Sequence, residues 1–386
     1  IKSGNERVVE ARLNDAQFFW KKNSSQNLLK KISELKTINY FKGLGTYFDK
    51  VQRMRKLGGI ISDEMLISKE KVELSCSICK VDLISDLVGE YPELQGIMGG
   101  YFAETQGFDK DICLAVKEHY LPIGLNSNLP KKPFSIALAL SDKLDTLVGF
   151  FGTNNKPTSS KDPYALRRVA LGLIRIIIEN NKEFKLKDLI NYSVTLYEQQ
   201  SLKFSNKFLH KELVDFLLDR LKYYMKEKGI RSDIIESSFN SFSIDQILIS
   251  YQKSQTLNKL ISKEIGNNII SSYKRASNIL EEELKNKDLE ISNITDPGLF
   301  KNEYEKNLHK KIIELKKYFN TSNINENYEI TLKNLADSKK IVFEFFDNVI
   351  VNDDDKTIKK NRLELLSMLC KTFDNYIIFS NIEGPR

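Results

Sequence analysis

Apolar residues recur at spacings of three and four along most of this chain, and this periodicity sets the class of fold that it can adopt. The clearest run contains Phe208, Leu209, Leu213, Leu217, Leu221 and Tyr224. This spacing puts the apolar side chains on one face of an α-helix, where they can pack against other helices. Gly229 is the predicted end of that helix, because glycine readily adopts the left-handed conformation found after many helices. Clear alternating strand patterns are absent from the sequence, so we predict a mostly α fold.

A second helix is predicted to start near residue 162. Asp162 is a good N-cap residue, because its side chain can accept hydrogen bonds from free backbone N–H groups, and Pro163 suits the first helical position. The apolar residues that follow at helical spacing are Leu166, Val169, Ala170, Leu173, Ile174 and Ile177. The polar and proline residues of 152–163 predict an exposed connection before this helix.

The length of 386 residues exceeds what one ordinary hydrophobic core serves, so we expect two or three domains. The helical pattern breaks at LGGIISD (57–63), at 152–163 and in a Ser-rich stretch (228–243). Four segments are predicted: 1–60, the end of a preceding region and a helical linker; 61–151, a helical domain; 152–245, a helical linker or body region; and 246–386, a C-terminal helical domain with long loops at 286–297 and 320–327. Because the chain starts with Ile1 rather than Met, we expect it to be a fragment, and its terminal Gly-Pro-Arg is compatible with a vector-derived end.

The composition favours a polyanionic partner only where basic residues cluster locally. The formal net charge is +7, which is a modest excess for this length. No window approaches about 18 uninterrupted apolar residues, so no membrane span is expected. The charged start of the chain does not resemble a signal peptide.

The four cysteines are predicted to be structural thiols in a protein core. Cys76 and Cys79 form one close pair, whereas Cys113 and Cys370 stand alone. A zinc ribbon needs a second pair at similar spacing, so zinc or redox chemistry is the weaker alternative. This cysteine usage fits a reducing cytoplasm.

The central region contains polar residues whose local spacing leaves two interpretations. Asp142 and Asp145 lie three apart on one face of a predicted helix. Such acids are usually solvated or bonded to nearby Lys and Arg, and general acid–base catalysis is the alternative. We expect His119 to cap or pack. The run GIMGG (96–100) lacks the Gly-Lys-Ser/Thr ending of a phosphate loop, so we expect it to let two helices approach closely.

Two helices near the C-terminus carry the predicted nucleic-acid-binding residues. In the first, an inward apolar stripe is expected from Tyr273, Ala276, Leu280 and Leu284, with Lys274, Arg275 and Asn278 facing outward. The second follows the acidic residues 353–355 and packs inward through Ile358, Leu365, Leu366, Leu369 and Phe373. Its first turns carry a predicted polar cluster of Lys359, Lys360, Asn361 and Arg362. Lys and Arg neutralise phosphates, and Arg and Asn can also pair with base edges. An ordinary solvated helix face is the alternative.

Several long peptides are distinctive enough to indicate a family. They are GNERVVEARLNDAQFFW near the start, EYPELQGIMGGYFAE, EHYLPIGLNSNLPKKPFSIALALSDKLDTLVGFFG and SSKDPYALRRVALGLIRIIIE in the central region, and FFDNVIVNDDDKTIKKNRLELLSML near the end. Together they resemble the β subunit of the bacterial heterotetrameric glycyl-tRNA synthetase. The peptides YKRASNIL and NRLELL are similar to the family's C-terminal helical anticodon-binding domain, of the type named after an Asp-Ala-Leu-Arg peptide. That tetrapeptide is degenerate here, where residues 355–359 read DKTIK.

The resemblance implies that 61–151 is an HD-like helical domain. Working HD phosphohydrolases hold a metal ion with several histidines and aspartates. This chain has only His119, His210 and His309, and SICKVDLISDLV offers Asp82 without a preceding histidine. Asp142 resembles the family's last aspartate, but one carboxylate cannot assemble a metal site. We therefore predict neither catalytic nor metal-binding residues in this chain, and an HD-type metal-dependent phosphohydrolase is the alternative.

The resemblance further implies a division of labour between two kinds of subunit. An α subunit would activate glycine with ATP and Mg²⁺, while this chain would bind no cofactor and would orient tRNA(Gly) within a cytoplasmic heterotetramer of two α and two β subunits. Tyr273, Tyr304 and Tyr318 are candidates for stacking on bases, with packing as the alternative, whereas Phe345 and Phe346 are expected in the core. A structural assembly module without RNA contact is the other alternative.

Overall fold

The computed structural model describes residues 2–239, 243–285, 291–320 and 327–383 and confirms the mostly α fold. The chain divides into two compact units, unit 1 (Ile1–Leu221) and unit 2 (Lys222–Arg386). Large parts of the predicted loops at 286–297 and 320–327, part of the Ser-rich stretch and the terminal Gly-Pro-Arg lie outside the described residues. Within those residues, no helix combines the length and apolar character needed to cross a membrane.

Unit 1 consists of helices and one small hairpin. Its helices are α1 (Lys2–Ser24), α2 (Leu28–Lys31), α3 (Tyr47–Met65), α4 (Lys69–Ile78), α5 (Asp86–Glu90), α6 (Ile97–Thr105), α7 (Lys110–Glu118), α8 (Pro133–Gly152), α9 (Leu166–Glu179) and α10 (Leu186–Gln199). The hairpin of β1 (Asn39–Phe41) and β2 (Gly45–Thr46) is not predicted from the sequence, because its strands are too short to show alternation. Its turn uses Gly43 and Gly45, both at positive φ.

Helix α8 is the centre of unit 1 and packs against α3, α4, α7, α9 and α10. Apolar and small residues lie on all sides of it, and such a helix is stable only when other elements surround it. Both of its aspartates, Asp142 and Asp145, are buried. The acids that the sequence places on one helix face are therefore inside the protein.

The predicted break at 57–63 is wrong, because α3 continues through it to Met65. A Cβ atom on Gly58 would lie 2.9 Å from the Sγ atom of Cys76, so the glycine allows α3 and α4 to approach closely. The predicted boundary at 60/61 consequently falls inside a helix, and the finer division into four segments stays a prediction. All four cysteines are buried free thiols, as expected of core positions.

Two predicted helix boundaries can be compared with the structure. Asp162 accepts hydrogen bonds from the backbone N–H groups of Leu166 and Arg167, but α9 begins three residues later than predicted and its N-cap residue is Ala165. Helix α11 (Leu209–Glu227) crosses the division between the units, and Gly229 follows it with a φ of 76°. The predicted helix and its glycine end are confirmed.

Unit 2 is built around a pair of long helices that run antiparallel. Its helices are α12 (Ser232–Ser237), α13 (Ile247–Leu260), α14 (Glu264–Leu284), α15 (Glu303–Asn320), α16 (Tyr328–Ala336), α17 (Lys339–Asn348) and α18 (Lys356–Asp374). At one end of the pair, Tyr273 of α14 donates a hydrogen bond to Asp374 of α18 over 3.2 Å. At the other end, Lys359 of α18 forms an ion pair of 2.6 Å with Glu283 of α14. The pair is thus fixed at both ends by side chains.

Candidate functional site

Helix α14 presents a basic and polar face opposite its buried stripe. Tyr273, Ala276 and Leu280 are buried as predicted, whereas Leu284 is 47% exposed at the end of the helix. Lys274 and Arg275 are partly exposed, and Asn278 is exposed. The structure therefore places all three of the predicted contact residues of α14 within reach of an external ligand.

Arg275 is held at the surface by weak and accessible contacts. Its guanidinium lies 5.0 Å from the ring centre of Phe343 and 4.8 Å from that of Phe346. It also forms an ion pair of 3.2 Å with Asp347, whose side chain is 64% exposed. An exposed ion pair contributes only about 0.2–1 kcal/mol, so a phosphate can replace the carboxylate at little cost. The two rings orient Arg275 without covering it.

Helix α18 divides its predicted polar cluster between surface and interior. Lys360 is exposed, and Lys359 is partly exposed in its ion pair with Glu283. Since Glu283 lies eight residues after Arg275 on α14, Lys359 and Arg275 are separated by about 12 Å along that helix. These two lysines and the α14 residues form the basic face, defined here as Lys274, Arg275, Asn278, Lys359 and Lys360.

Asn361 and Arg362, which are predicted to bind nucleic acid together with Lys359 and Lys360, do not belong to this face because both side chains are buried. Each is only 5% exposed. Asn361 accepts a 2.8 Å hydrogen bond from the backbone N–H of Asp296 and donates one of 3.0 Å to its carbonyl. Both residues lie three or four positions from Ile358 and Leu365, which belong to the inward stripe. The helical spacing itself was the signal that the sequence analysis missed.

Arg362 has a structural role in unit 2. Its guanidinium forms ion pairs of 2.7 Å with Glu305 and with Asp353, and it donates a hydrogen bond to the carbonyl of Ile350. Glu305 is itself buried, and its other oxygen accepts from the backbone N–H groups that precede α15. Arg362 therefore joins α18 to the start of α15 and to the segment between α17 and α18.

The aromatic residues that are candidates for base stacking also differ in how deeply they are buried. Tyr273 is buried between α14 and α18 and contacts Phe373 and Phe379, so its ring packs in the core. Tyr304 and Tyr318 are partly exposed and stay candidates for base stacking. Phe345 is buried as predicted, whereas Phe346 is partly exposed beside Arg275.

The acids of α8 lie in a buried cluster of charges in unit 1. Asp145 makes a paired contact with Arg53 at 2.7 and 3.2 Å and binds Lys50 at 3.1 Å. Asp142 lies 3.0 Å from Lys50 and 3.1 Å from Lys80. Burial by itself would raise the pKa of Asp142, but the ammonium groups of Lys50 and Lys80 outweigh it and hold the pKa below its usual range. The interpretation of these acids as partners of Lys and Arg is confirmed.

The region that the resemblance assigns to an HD-like domain does not fit a metal ion. Lys80 Nζ lies 2.8 Å from Nε2 of His119 and 3.1 Å from Oδ2 of Asp142, so an ammonium group fills the space between these two candidate ligands. Asp82 instead accepts hydrogen bonds from the N–H groups of Gly96 and Gly99 at the start of α6. Among the described residues, no group of three or more His, Cys, Asp and Glu side chains is arranged to hold a metal ion.

A cavity of about 600 Å³ lies in unit 1 beside this cluster. Asp142 and Lys143 lie along it together with Tyr120, Tyr164 and Arg168. Lys143 is buried and donates to the carbonyls of Tyr120 and Leu121, and burial lowers its pKa to about 8. On the wall of the cavity, Asp142 and Lys143 are thus already bonded to other groups of the protein.

Both parts of the chain are similar to known protein families. Residues 269–383, which lie within unit 2, match the family described as DALR anticodon binding domain, so the C-terminal part of the chain is a domain of the anticodon-binding class. Residues 1–240 match the family described as glycyl-tRNA synthetase beta subunit. The chain belongs to this glycyl-tRNA synthetase β-subunit family, as predicted from the sequence.

Individual relatives agree with the family match. The chain is 38% identical over 379 residues to the glycine–tRNA ligase beta subunit of Rickettsia canadensis (strain McKiel), which covers 98% of this chain and 54% of that protein. It is 34% identical over 388 residues to the corresponding protein of Rhodospirillum centenum (strain ATCC 51521 / SW), covering 100% of this chain and 54% of that protein. The chain therefore spans about half the length of the curated relatives that it matches.

Proposed function

We propose that this chain is the tRNA-binding, non-activating part of a glycine–tRNA ligase, and that it orients tRNA(Gly) for glycylation on a separate α subunit. The observation that carries the proposal is the basic face, which lies on two helices of a domain matching an anticodon-binding family. ATP and Mg²⁺ would then be used by the α subunit, within a cytoplasmic heterotetramer of two α and two β chains. Orientation contributes to catalysis because it removes entropy from the transfer step.

The basic face suits a nucleic acid because its side chains differ in what they can recognise. Lys274, Lys359 and Lys360 can neutralise phosphates, which strengthens binding to any sequence. Arg275 can form a paired contact with a phosphate or with a guanine, and Asn278 can pair with an adenine edge. The face therefore combines general affinity with the capacity to discriminate between anticodon bases.

The decisive experiment measures equilibrium binding of tRNA(Gly) to the complete heteromeric enzyme across a range of salt concentrations. Arg275→Ala is expected to weaken binding by about tenfold, or about 1.4 kcal/mol, which lies within the roughly 1–3 kcal/mol of one good contact. If Arg275 binds a phosphate, the slope of the logarithm of the binding constant against the logarithm of the salt concentration should also become shallower by about one unit. If Arg275 binds a base, discrimination between anticodon variants should change instead.

The matched control is Lys333→Ala on α16. Lys333 is also exposed and ion-paired, to Glu329 at 3.0 Å, but it lies outside the basic face. The Lys333→Ala substitution should leave tRNA binding unchanged. Equal binding by the wild type, the Arg275 variant and the Lys333 variant would reject the basic face as the site. Binding of tRNA that is absent, or indifferent to the anticodon, would favour an assembly module instead.

The metal-dependent phosphohydrolase remains as the second candidate because of the HD-like resemblance. The position of Lys80 between His119 and Asp142 argues against it. Release of phosphate from model phosphate esters in the presence of Mn²⁺ or Mg²⁺, abolished by Asp142→Asn, would support this candidate and contradict the proposal of a non-catalytic chain.

A further inference from the structure

Lys80 lies at the centre of a buried coordination sphere in unit 1. Its ammonium nitrogen is 2.8 Å from Nε2 of His119 and 3.1 Å from Oδ2 of Asp142. It also lies 3.8 Å from the centre of the Tyr120 ring, whose face carries partial negative charge. Lys80 and His119 are at most 1% exposed, and Asp142 is 7% exposed. An imidazole nitrogen, a carboxylate and a ring face thus surround one small cation.

The imidazole of His119 is oriented as a ligand. Its Nδ1 atom lies 2.6 Å from the carbonyl oxygen of Val116, which fits an N–H donor at that position. The Nε2 atom then has a lone pair, and this lone pair points at Lys80. Histidines that bind metal ions are oriented in the same way, with the second ring nitrogen donating to a backbone carbonyl or a carboxylate. Here the acceptor atom faces an ammonium group.

The surrounding charges leave little need for another cation. Lys50 lies 3.0 Å from the other oxygen of Asp142. Lys143 is buried nearby and donates to backbone carbonyls. A divalent ion in addition to these lysines would be strongly repelled at such distances in a buried site. With Lys80 in place, the carboxylate of Asp142 and the imidazole of His119 therefore need no further cation.

We propose that Lys80 is a built-in cation that occupies the position of a metal ion in this cluster, so that unit 1 is organised without any metal. The lysine joins the end of α4 to the end of α7 and to the middle of α8, which is what a structural metal ion does when its ligands come from distant parts of a chain. A direct consequence is that shortening Lys80 creates a binding site for a small ammonium ion. This inference does not depend on tRNA binding.

The test is to shorten Lys80 and restore the missing atoms from solution. Lys80→Ala removes three carbons and the charged nitrogen, which propylammonium replaces. We expect the variant to unfold about 10 °C below the wild type, because it leaves a buried carboxylate and imidazole without their partner. Propylammonium chloride is expected to raise its midpoint of thermal unfolding in a concentration-dependent manner, as a ligand of the folded state does.

Three controls make this result specific. Tetramethylammonium chloride supplies the same ionic strength in an ion without N–H donors. The wild type reports any general effect of propylammonium. Lys80→Met keeps the space filled but removes the charge. This variant should therefore be less stable than the wild type and should gain no stability from propylammonium. If Lys80→Ala gains no more from propylammonium than Lys80→Met and the wild type do, the proposal is wrong.

Two further measurements keep the proposal testable. If Lys80→Ala does not fold in buffer, refolding is attempted in propylammonium, and failure to recover the helical circular dichroism signal would contradict the proposal. In the wild type, treatment with EDTA is expected to leave the unfolding midpoint unchanged. A divalent metal that copurifies at one per chain, and whose removal lowers the midpoint, would overturn the proposal.

Discussion

The buried charges of unit 1 and the basic face of unit 2 use the same types of side chain under opposite conditions. Lys50 and Arg53 are at most 2% exposed and share the buried Asp145. Arg275 is about one-third exposed and is paired with a carboxylate that faces solvent. Breaking the buried contacts leaves charges that water cannot reach, whereas breaking the exposed contact costs little. The exposure of the partner decides whether a cation is available to an external anion.

Arg362 shows that this distinction does not follow the division into units. It lies in unit 2, within the domain that matches an anticodon-binding family, but its burial and its ion pair with Glu305 resemble those of Arg53 in unit 1. Under the proposed function, removing Arg362 would weaken tRNA binding only by disturbing the fold. Arg275 is the residue whose removal tests RNA contact directly.

The largest expected effect is on the buried cluster of unit 1. Asp145→Ala removes the common partner of Lys50 and Arg53 and is expected to destabilise the protein by about 3–5 kcal/mol. Urea denaturation followed by circular dichroism measures this loss. The exposed pair provides the control, because Asp347→Ala should cost under about 1 kcal/mol. Similar losses in the two variants would remove the contrast between the regions.

Next in size is the effect of removing Arg362. Arg362→Ala is expected to cost about 3 kcal/mol, because Glu305 then stays buried without its cation. Hydrogen exchange should become faster just before α15, where Glu305 accepts from the backbone N–H groups of Lys301 and Asn302. Arg362→Lys keeps the charge and should lose less. Unchanged stability in the alanine variant would show that this buried pair is dispensable.

An effect of similar size, which depends on pH, is predicted for Asp82. Burial raises its pKa from 3.8 to about 6, although the N–H groups of Gly96 and Gly99 oppose this shift. Below the unfolded pKa the carboxyl is protonated in both states. As the pH rises towards 6, the unfolded chain loses its proton first, so the folded state loses about 1.4 kcal/mol of relative stability for each unit of the shift.

Asp82→Asn tests this dependence because its amide does not titrate. Urea midpoints measured between about pH 4 and pH 7 should show the wild type losing stability relative to the variant as the pH rises through this range. A constant difference between the two proteins would mean that the pKa of Asp82 is not raised.

The smallest expected effect is on the stability of the basic face. Arg275→Ala should change the free energy of unfolding by under about 1 kcal/mol, since its ion pair is exposed. Stability measured under the conditions of the tRNA-binding assay then separates loss of contact from loss of fold. A large loss of stability would place Arg275 in the same class as Arg362.

Local patterns predicted much of the fold, but they did not predict which polar residues meet. The apolar run from Phe208 and its end at Gly229 describe α11 well, because helix periodicity and termination depend on neighbouring residues. Gly58 and Gly59 suggested a break, but their role is to let α4 approach, which depends on a different part of the chain. The charge of Arg362 favoured a role in nucleic-acid binding, although its spacing from Ile358 places it inside.

The cluster around Lys80 was beyond prediction from local sequence. Lys80 is separated by 39 residues from His119 and by 62 from Asp142, and no spacing rule connects them. The family resemblance drew attention to Asp82, His119 and Asp142 as possible remains of a metal site. It gave no reason to consider the lysine that lies among them, because lysine is not an expected metal ligand.

Gly58 gives α3 a mechanical role in addition to its packing role. A methyl group at this position would act as a wedge between α3 and α4, because Cys76 and Val72 leave it no room. The same helix carries Lys50 and Arg53 less than three turns earlier, and a helix transmits a small tilt along its length. Replacing one hydrogen of Gly58 with a methyl group would therefore shift Lys50 and Arg53 relative to the carboxylate of Asp145. The spacing of α3 and α4 thus sets the alignment of charges elsewhere in unit 1.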